Sequence, residues 1–263
     1  MGIVRAKKAR PPRRRTGAAA RRFLAAANKN SIDEALVEVT TNLTKNVSVA
    51  PTDLEAVSEK LNVAGWHSEQ LATTGELRRV GDQFHIVYAT GLGQGRRRFT
   101  VAHELGHAFL ESTGKNAPRR GLDVEEMCDM FAVHLLMPER AVREFFRIGA
   151  SPDTVVRFAN VFQVSLAAAI RRCEELELGY LFLVDSSMSV LSTTGPIRRV
   201  GGDIDDVVQE VLLGSSVARR VFLKENAVWN GQWELHGIPL AGGKRALFAL
   251  DPVPSSERTA KSW

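Results

Sequence analysis

The sequence predicts an α+β protein: a mostly helical domain with a small sheet, followed by a C-terminal α+β accessory domain. Two observations carry this. Apolar residues recur at helical spacing through most of the stretch from Pro51 to Leu176, and short runs bounded by Gly and Pro stand before Gly91 and after Gly179. A chain of 263 residues with 44% hydrophobic side chains is long enough for one catalytic-sized core and a smaller second one. The expected divisions are a basic, disordered tail over 1–30, the helical domain over 31–179 and the accessory domain over 180–263.

Residues 1–22 hold nine basic side chains (Arg5, Lys7, Lys8, Arg10, Arg13, Arg14, Arg15, Arg21 and Arg22) and no acid. The chain has 35 Lys and Arg against 30 Asp and Glu, so without this segment 26 bases face 30 acids and the remainder is acidic. The basicity belongs to the tail, where Arg, Pro and Ala favour disorder. Counterion release gives such a tail a weak contact with nucleic acid, and a solvated tail with no partner fits the composition equally well.

Residues 31–49 mix helix formers with polar side chains. The next segment, Pro51 to Leu61, is a clearer helix with Leu54, Val57 and Leu61 on one side. Leu77-Arg78-Arg79-Val80 and Gln83 to Tyr88, separated by Gly81-Asp82, read as a small sheet that leads through the glycines of 91–95 into the next helix.

That helix holds His103-Glu104-Leu105-Gly106-His107, with Thr100 as its expected N-cap before the apolar run Val101, Leu105, Ala108 and Phe109. At 3.6 residues per turn the two histidines share a face, so two imidazoles can grip one divalent ion. Glu104 stands beside them as a general base for a water that such an ion acidifies. Gly106 costs about 1 kcal/mol in a helix interior, which a close-packed neighbour would explain.

A catalytic zinc needs a third protein donor. The helix expected from Leu122 to Met137 carries its apolar stripe through Val124, Cys128, Phe131, Ala132, Leu135 and Leu136. Glu125 falls at the flank of that stripe and Asp129 one turn later, whereas Asp123 and Glu126 point away. Glu125 is the expected third ligand, and Asp129 the carboxylate that fixes a histidine tautomer. A His₂-carboxylate set also accepts Fe²⁺, Mn²⁺ or Co²⁺.

The stretches R-R-R-F-T-V-A-H-E-L-G-H-A-F-L-E and E-x-x-C-D-M-F-A-V-H-L-L-M-P resemble the ImmA/IrrE family of zinc metallopeptidases over roughly residues 50–180. Cys128-Asp129 replaces the family's usual Ala-Asn; a buried thiol is a mild substitute for a methyl group. The resemblance implies a zincin-like domain, one Zn²⁺ on His103, His107 and Glu125, Glu104 as general base, and a bacterial protease. It further implies a helix-turn-helix repressor as substrate, whose cleavage switches on stress, phage or mobile-element genes. In such a peptidase the strand before the active helix can take substrate as an added strand, which would place His85 and Tyr88 in the cleft, with Tyr88 on the scissile carbonyl, although packing is the commoner role for a tyrosine on a half-buried strand.

Pro138 opens a helix ending near Gly149, and Ser151-Pro152-Asp153 caps another that breaks at Gln163-Val164-Ser165 and resumes from Leu166 to Leu176. The 149–179 segment is helix-turn-helix-like. Arg171 and Arg172 lie where a DNA reader needs them, yet Glu174, Glu175 and Glu177 repel phosphates, so packing is the favoured role. Strands are expected at 180–184, 233–239 and 245–250, with a helix near 204–213 and a turn at Ala241-Gly242-Gly243-Lys244. Cys128 and Cys173 suggest reduced thiols in a cytoplasm, and no apolar run approaches the ~18 residues of a membrane span. The rival reading is a DNA- or repressor-binding regulator whose metal site is structural or vestigial.

Overall fold

A computed structural model describes residues 18–113, 122–194, 204–224 and 230–252. They form two compact units, one within residues 14–144 and 159–165, the other within 145–158 and 166–263.

In the first unit, α1 (Ala18–Ala27) corrects the expectation of a disordered tail from Ala18 onward. Its apolar face has a place to go: Ala20 is buried, and Phe23 meets Phe109 edge to face at 6.1 Å, beside Leu110, Val124 and Met127. Seven of the tail's nine basic residues lie outside the described residues. Helix α2 (Ile32–Leu43) buries Ala35, Leu36 and Thr40, and α3 (Leu54–Lys60) is capped by Asp53, which accepts the Ala56 N–H at 3.1 Å.

Strands β1 (Val63–Glu69), β2 (Gly75–Val80) and β3 (Gln83–Ala89) form a sheet in the order β1-β3-β2. The expected β2–β3 hairpin is present, turning at Gly81, whose φ of +63° suits a residue without Cβ. β1 was not anticipated. It runs parallel to β3, so the strand before the motif helix is the central one and both its edges are taken. That corrects the expectation that this strand receives substrate; the free edges belong to β1 and β2.

Helix α4 (Gln94–Thr113) starts well before Thr100. The Arg97 N–H bonds the Gly93 carbonyl at 2.9 Å, so the helix opens at Gly93 and Thr100 is a buried interior residue rather than the N-cap. Three arginines, good helix formers, extend the helix ahead of its apolar stripe. Helix α5 (Leu122–Leu136) packs across α4, and a Cβ built at Gly106 would lie 3.1 Å from the Cys128 Cα, which is the close neighbour the glycine called for. Arg98 is half buried and donates to the Thr52 carbonyl at 2.6 Å, while the Thr52 hydroxyl donates to the Leu135 carbonyl at 2.8 Å. One side chain thus fixes α4 to the loop before α3 and, through it, to the end of α5. Helices α6 (Glu139–Phe145) and α7 (Pro152–Phe162) follow.

The second unit contains α8 (Leu166–Glu175) and strands β4 (Tyr180–Asp185), β5 (Val190–Thr193), β6 (Val217–Lys224), β7 (Asn230–Pro239) and β8 (Arg245–Pro252), with α9 (Asp205–Leu212) between β5 and β6. The sheet is antiparallel in the order β5-β4-β8-β7-β6. Val207, Val208 and Val211 of α9 bury one face against Phe182, Leu235 and Phe248, the two phenylalanine rings stacking at 4.8 Å. The expected sheet domain is there, with β5 and β6 in addition. On α8, Arg172 is 4% exposed and pairs with Glu175 at 2.9 Å, which suits packing and withdraws one of the two arginines a DNA reader would use. Among the described residues no helix is long and apolar enough to cross a membrane.

Candidate active site

The helical spacing of α4 sets His103 and His107 with ring centroids 5.0 Å apart. Glu125 of α5 reaches both: one carboxylate oxygen is 3.2 Å from His103 Nε2 and the other 3.5 Å from His107 Nε2. Asp129, one turn along α5, lies 2.9 Å from His103 Nδ1. The two helices therefore bring together four of the residues singled out in the sequence.

These contacts test whether the residues fit a metal. With Nδ1–H donated to Asp129, a neutral His103 turns the lone pair of Nε2 toward a carboxylate oxygen, acceptor against acceptor. Only a cation between them, a proton or a metal ion, makes that arrangement favourable. His107 has its pKa lowered, by burial first and then by the neighbouring His103, which favours the neutral form that ligates. The donor set fits a divalent ion. Cys128 Sγ adds a further donor, with one nitrogen of each histidine and the sulfur all within 4.8 Å of one another.

Glu104 is 6% exposed, and its pKa is raised to about 7, chiefly by burial and further by the Glu125 and Glu76 carboxylates. His103 and a hydrogen bond from the Leu77 backbone N–H pull the other way. A carboxyl poised near neutrality is what proton transfer at physiological pH requires. β2 comes this close because Gly75 has no side chain: a Cβ there would collide with the Thr100 methyl and lie 3.1 Å from a Glu104 oxygen. The sequence reading began this strand at Leu77 and so missed Gly75, the residue that lets it approach the site, although a glycine beside a strand run was the available signal.

A cleft of about 980 Å³ runs along α4, with His103, Glu104, His107, Glu125 and Asp129 in its wall opposite Gly75 to Leu77. Phe84 and Phe99 also line it, with Arg79 over the Phe84 ring at 5.3 Å. His85 and Tyr88 are not in its lining.

Residues 69–174, which hold every one of these cleft residues, match the peptidase M78 family model, described as the IrrE N-terminal-like domain. This segment is similar to an IrrE N-terminal-like domain. No curated protein matches the chain. A solved structure, a Mycobacterium tuberculosis transcriptional regulator, superposes with a TM-score of 0.52 at 15% identity, over 88% of this chain and 79% of that one. At such identity the likeness is one of fold. The match ends before β4, so the C-terminal sheet lies outside it. The match supports a metallopeptidase-like role for this segment, and the histidine and cysteine cluster could hold a metal.

Proposed function

We propose that the chain is a zinc-dependent endopeptidase that cleaves a helix-turn-helix repressor in the cytoplasm. The observation that carries the reading is the convergence of Glu125 on both α4 histidines with Glu104 buried beside them, inside a segment of a peptidase family.

His103, His107 and Glu125 would hold the ion, which when bound supplies Lewis acidity toward water and the scissile carbonyl. Asp129 keeps the Nδ1 proton of His103 in place and so aims Nε2. Glu104, ionised above about pH 7 in the metal-free chain, takes a proton from the attacking water and returns it to the leaving amine. The β2 edge turns backbone groups toward the cleft, where an extended peptide can pair with them. Thr74 accepts the Ala89 N–H within the sheet, so the alternate residues Gly75 and Leu77 turn their backbone groups outward, and Leu77 already donates to Glu104. The repressor as substrate rests on the family resemblance. A fold shared with a transcriptional regulator agrees with a role in gene control.

Metal content per purified chain tests the reading, measured for the wild type, His103→Ala and Glu125→Ala. About one zinc in the wild type and little in either variant, with cleavage of a co-expressed repressor that Glu104→Gln abolishes, is the expected result. A chain that takes up no metal when zinc is supplied would move the regulator reading forward. Steep salt-dependent DNA binding, indifferent to Glu104→Gln, would then support that reading.

A further inference from the structure

The carboxylate and imidazole donors leave one buried group in the seam unused. Cys128 is fully buried and occupies the α5 turn between Glu125 and Asp129. Among the described residues its thiol has no hydrogen-bond partner. It is held against α4 at a place where that helix lacks a side chain: a Cβ on Gly106 would lie 3.3 Å from the sulfur. Gly106 stands between the two histidines, so the sulfur, His103 and His107 form a cluster whose donor atoms are mutually within 4.8 Å. Cys173, the other thiol, is buried in the second unit and belongs to no such cluster among the described residues.

We propose that Cys128 is a direct donor to the metal of this site, which makes the centre selective for thiophilic divalent ions. The inference rests on the metal-site reading above and goes beyond its three ligands. A His₂-carboxylate set alone is a general site for first-row divalent ions, whereas a thiolate favours zinc, cadmium and cobalt over manganese or magnesium. In forming the bond, sulfur gives its proton to solvent and its electron pair to the ion, with no change of oxidation state. The centre would then draw one sulfur and two nitrogen donors from this cluster, with Glu125 beside both histidines, and a substrate oxygen would enter by displacing one donor or by expanding the coordination.

Cobalt titration of the wild type, Cys128→Ala, Cys173→Ala and Glu125→Ala tests this without any assay of activity. Alanine at position 128 removes a small buried group, so that variant keeps the fold, which far-ultraviolet circular dichroism checks. The expected result is a near-ultraviolet thiolate-to-cobalt absorption band in the wild type and Cys173→Ala, absent from Cys128→Ala. Cadmium affinity should fall about tenfold or more in Cys128→Ala, while manganese affinity stays the same. Cobalt bound at one ion per chain with no such band overturns the inference and leaves the His₂-Glu site standing. A wild-type chain that binds neither cobalt nor zinc overturns both.

Discussion

The α4–α5 seam and the C-terminal sheet are both buried, but they bury different things. Beneath α9 the sheet packs the apolar side chains of Phe182, Val184, Leu235 and Phe248. The seam packs Val101, Leu105 and Phe131 in the same way, yet admits Glu104 and Cys128 and keeps two histidines nearly covered. A buried carboxyl without a cation costs stability that an apolar side chain would not. The difference separates a layer that holds a unit together from one that gives up some stability for chemistry.

Mutations should divide along the same line. The largest stability loss is expected in the sheet: Phe248→Ala should cost about 3–5 kcal/mol in chemical denaturation, with metal content per chain unchanged. Equal loss of metal in that variant would break the comparison. In the seam, Glu104→Gln should reduce cleavage by roughly 10²-fold or more while the metal stays bound. The same variant tests the stability side. Because the folded carboxyl titrates near 7 and the ordinary value is 4.5, the folded state binds the extra proton between these values. Stability of the metal-free wild type therefore falls as pH rises from about 4.5 through 7, by up to roughly 3 kcal/mol, and Gln has no such penalty. Metal-free Glu104→Gln should melt above the wild type at pH 8 and level with it near pH 4; a constant gap would remove burial as the cause.

Smaller effects sharpen the picture. Asp129→Asn should weaken metal binding about tenfold with little change in melting temperature, since the lost group orients a ligand at a half-exposed position. Gly106→Ala gains about 1 kcal/mol of helix propensity and pushes the Cys128 backbone, 3.1 Å from the new Cβ, away from α4. Its net stability change should be small, and its metal affinity lower, as the histidines part from Glu125.

The legible parts of this chain were those whose signal is local. The His103-to-His107 spacing lies within a single helix, and the Glu125/Asp129 pair needed only the phase of a second helix against its apolar stripe. Gly81-Asp82 marked a hairpin, and the glycines of 241–244 marked another. What was hidden depended on distant partners. β1 reads Val63-Ala64-Gly65-Trp66-His67-Ser68-Glu69 with no clean alternation, and its place follows from parallel pairing with β3. That single pairing turned β3 into the middle strand and sent the cleft to Gly75 on β2 instead of His85 and Tyr88. α1 was hidden for the same reason, since an Ala- and Arg-rich segment becomes ordered only when Ala20 and Phe23 find the far ends of α4 and α5.

Arg98 carries a consequence of its own. A guanidinium that joins elements through a carboxylate loosens as salt is added, whereas this one ends on the neutral carbonyl of Thr52 and is half buried, with its pKa lowered by that burial. The anchor at the base of α4 is therefore less sensitive to ionic strength than an exposed ion pair, since burial outweighs the charges of Glu55, Arg97 and Asp53 around it. Raising salt across the physiological range would change how charged partners approach the cleft and leave the alignment of α4 with α5 as it was.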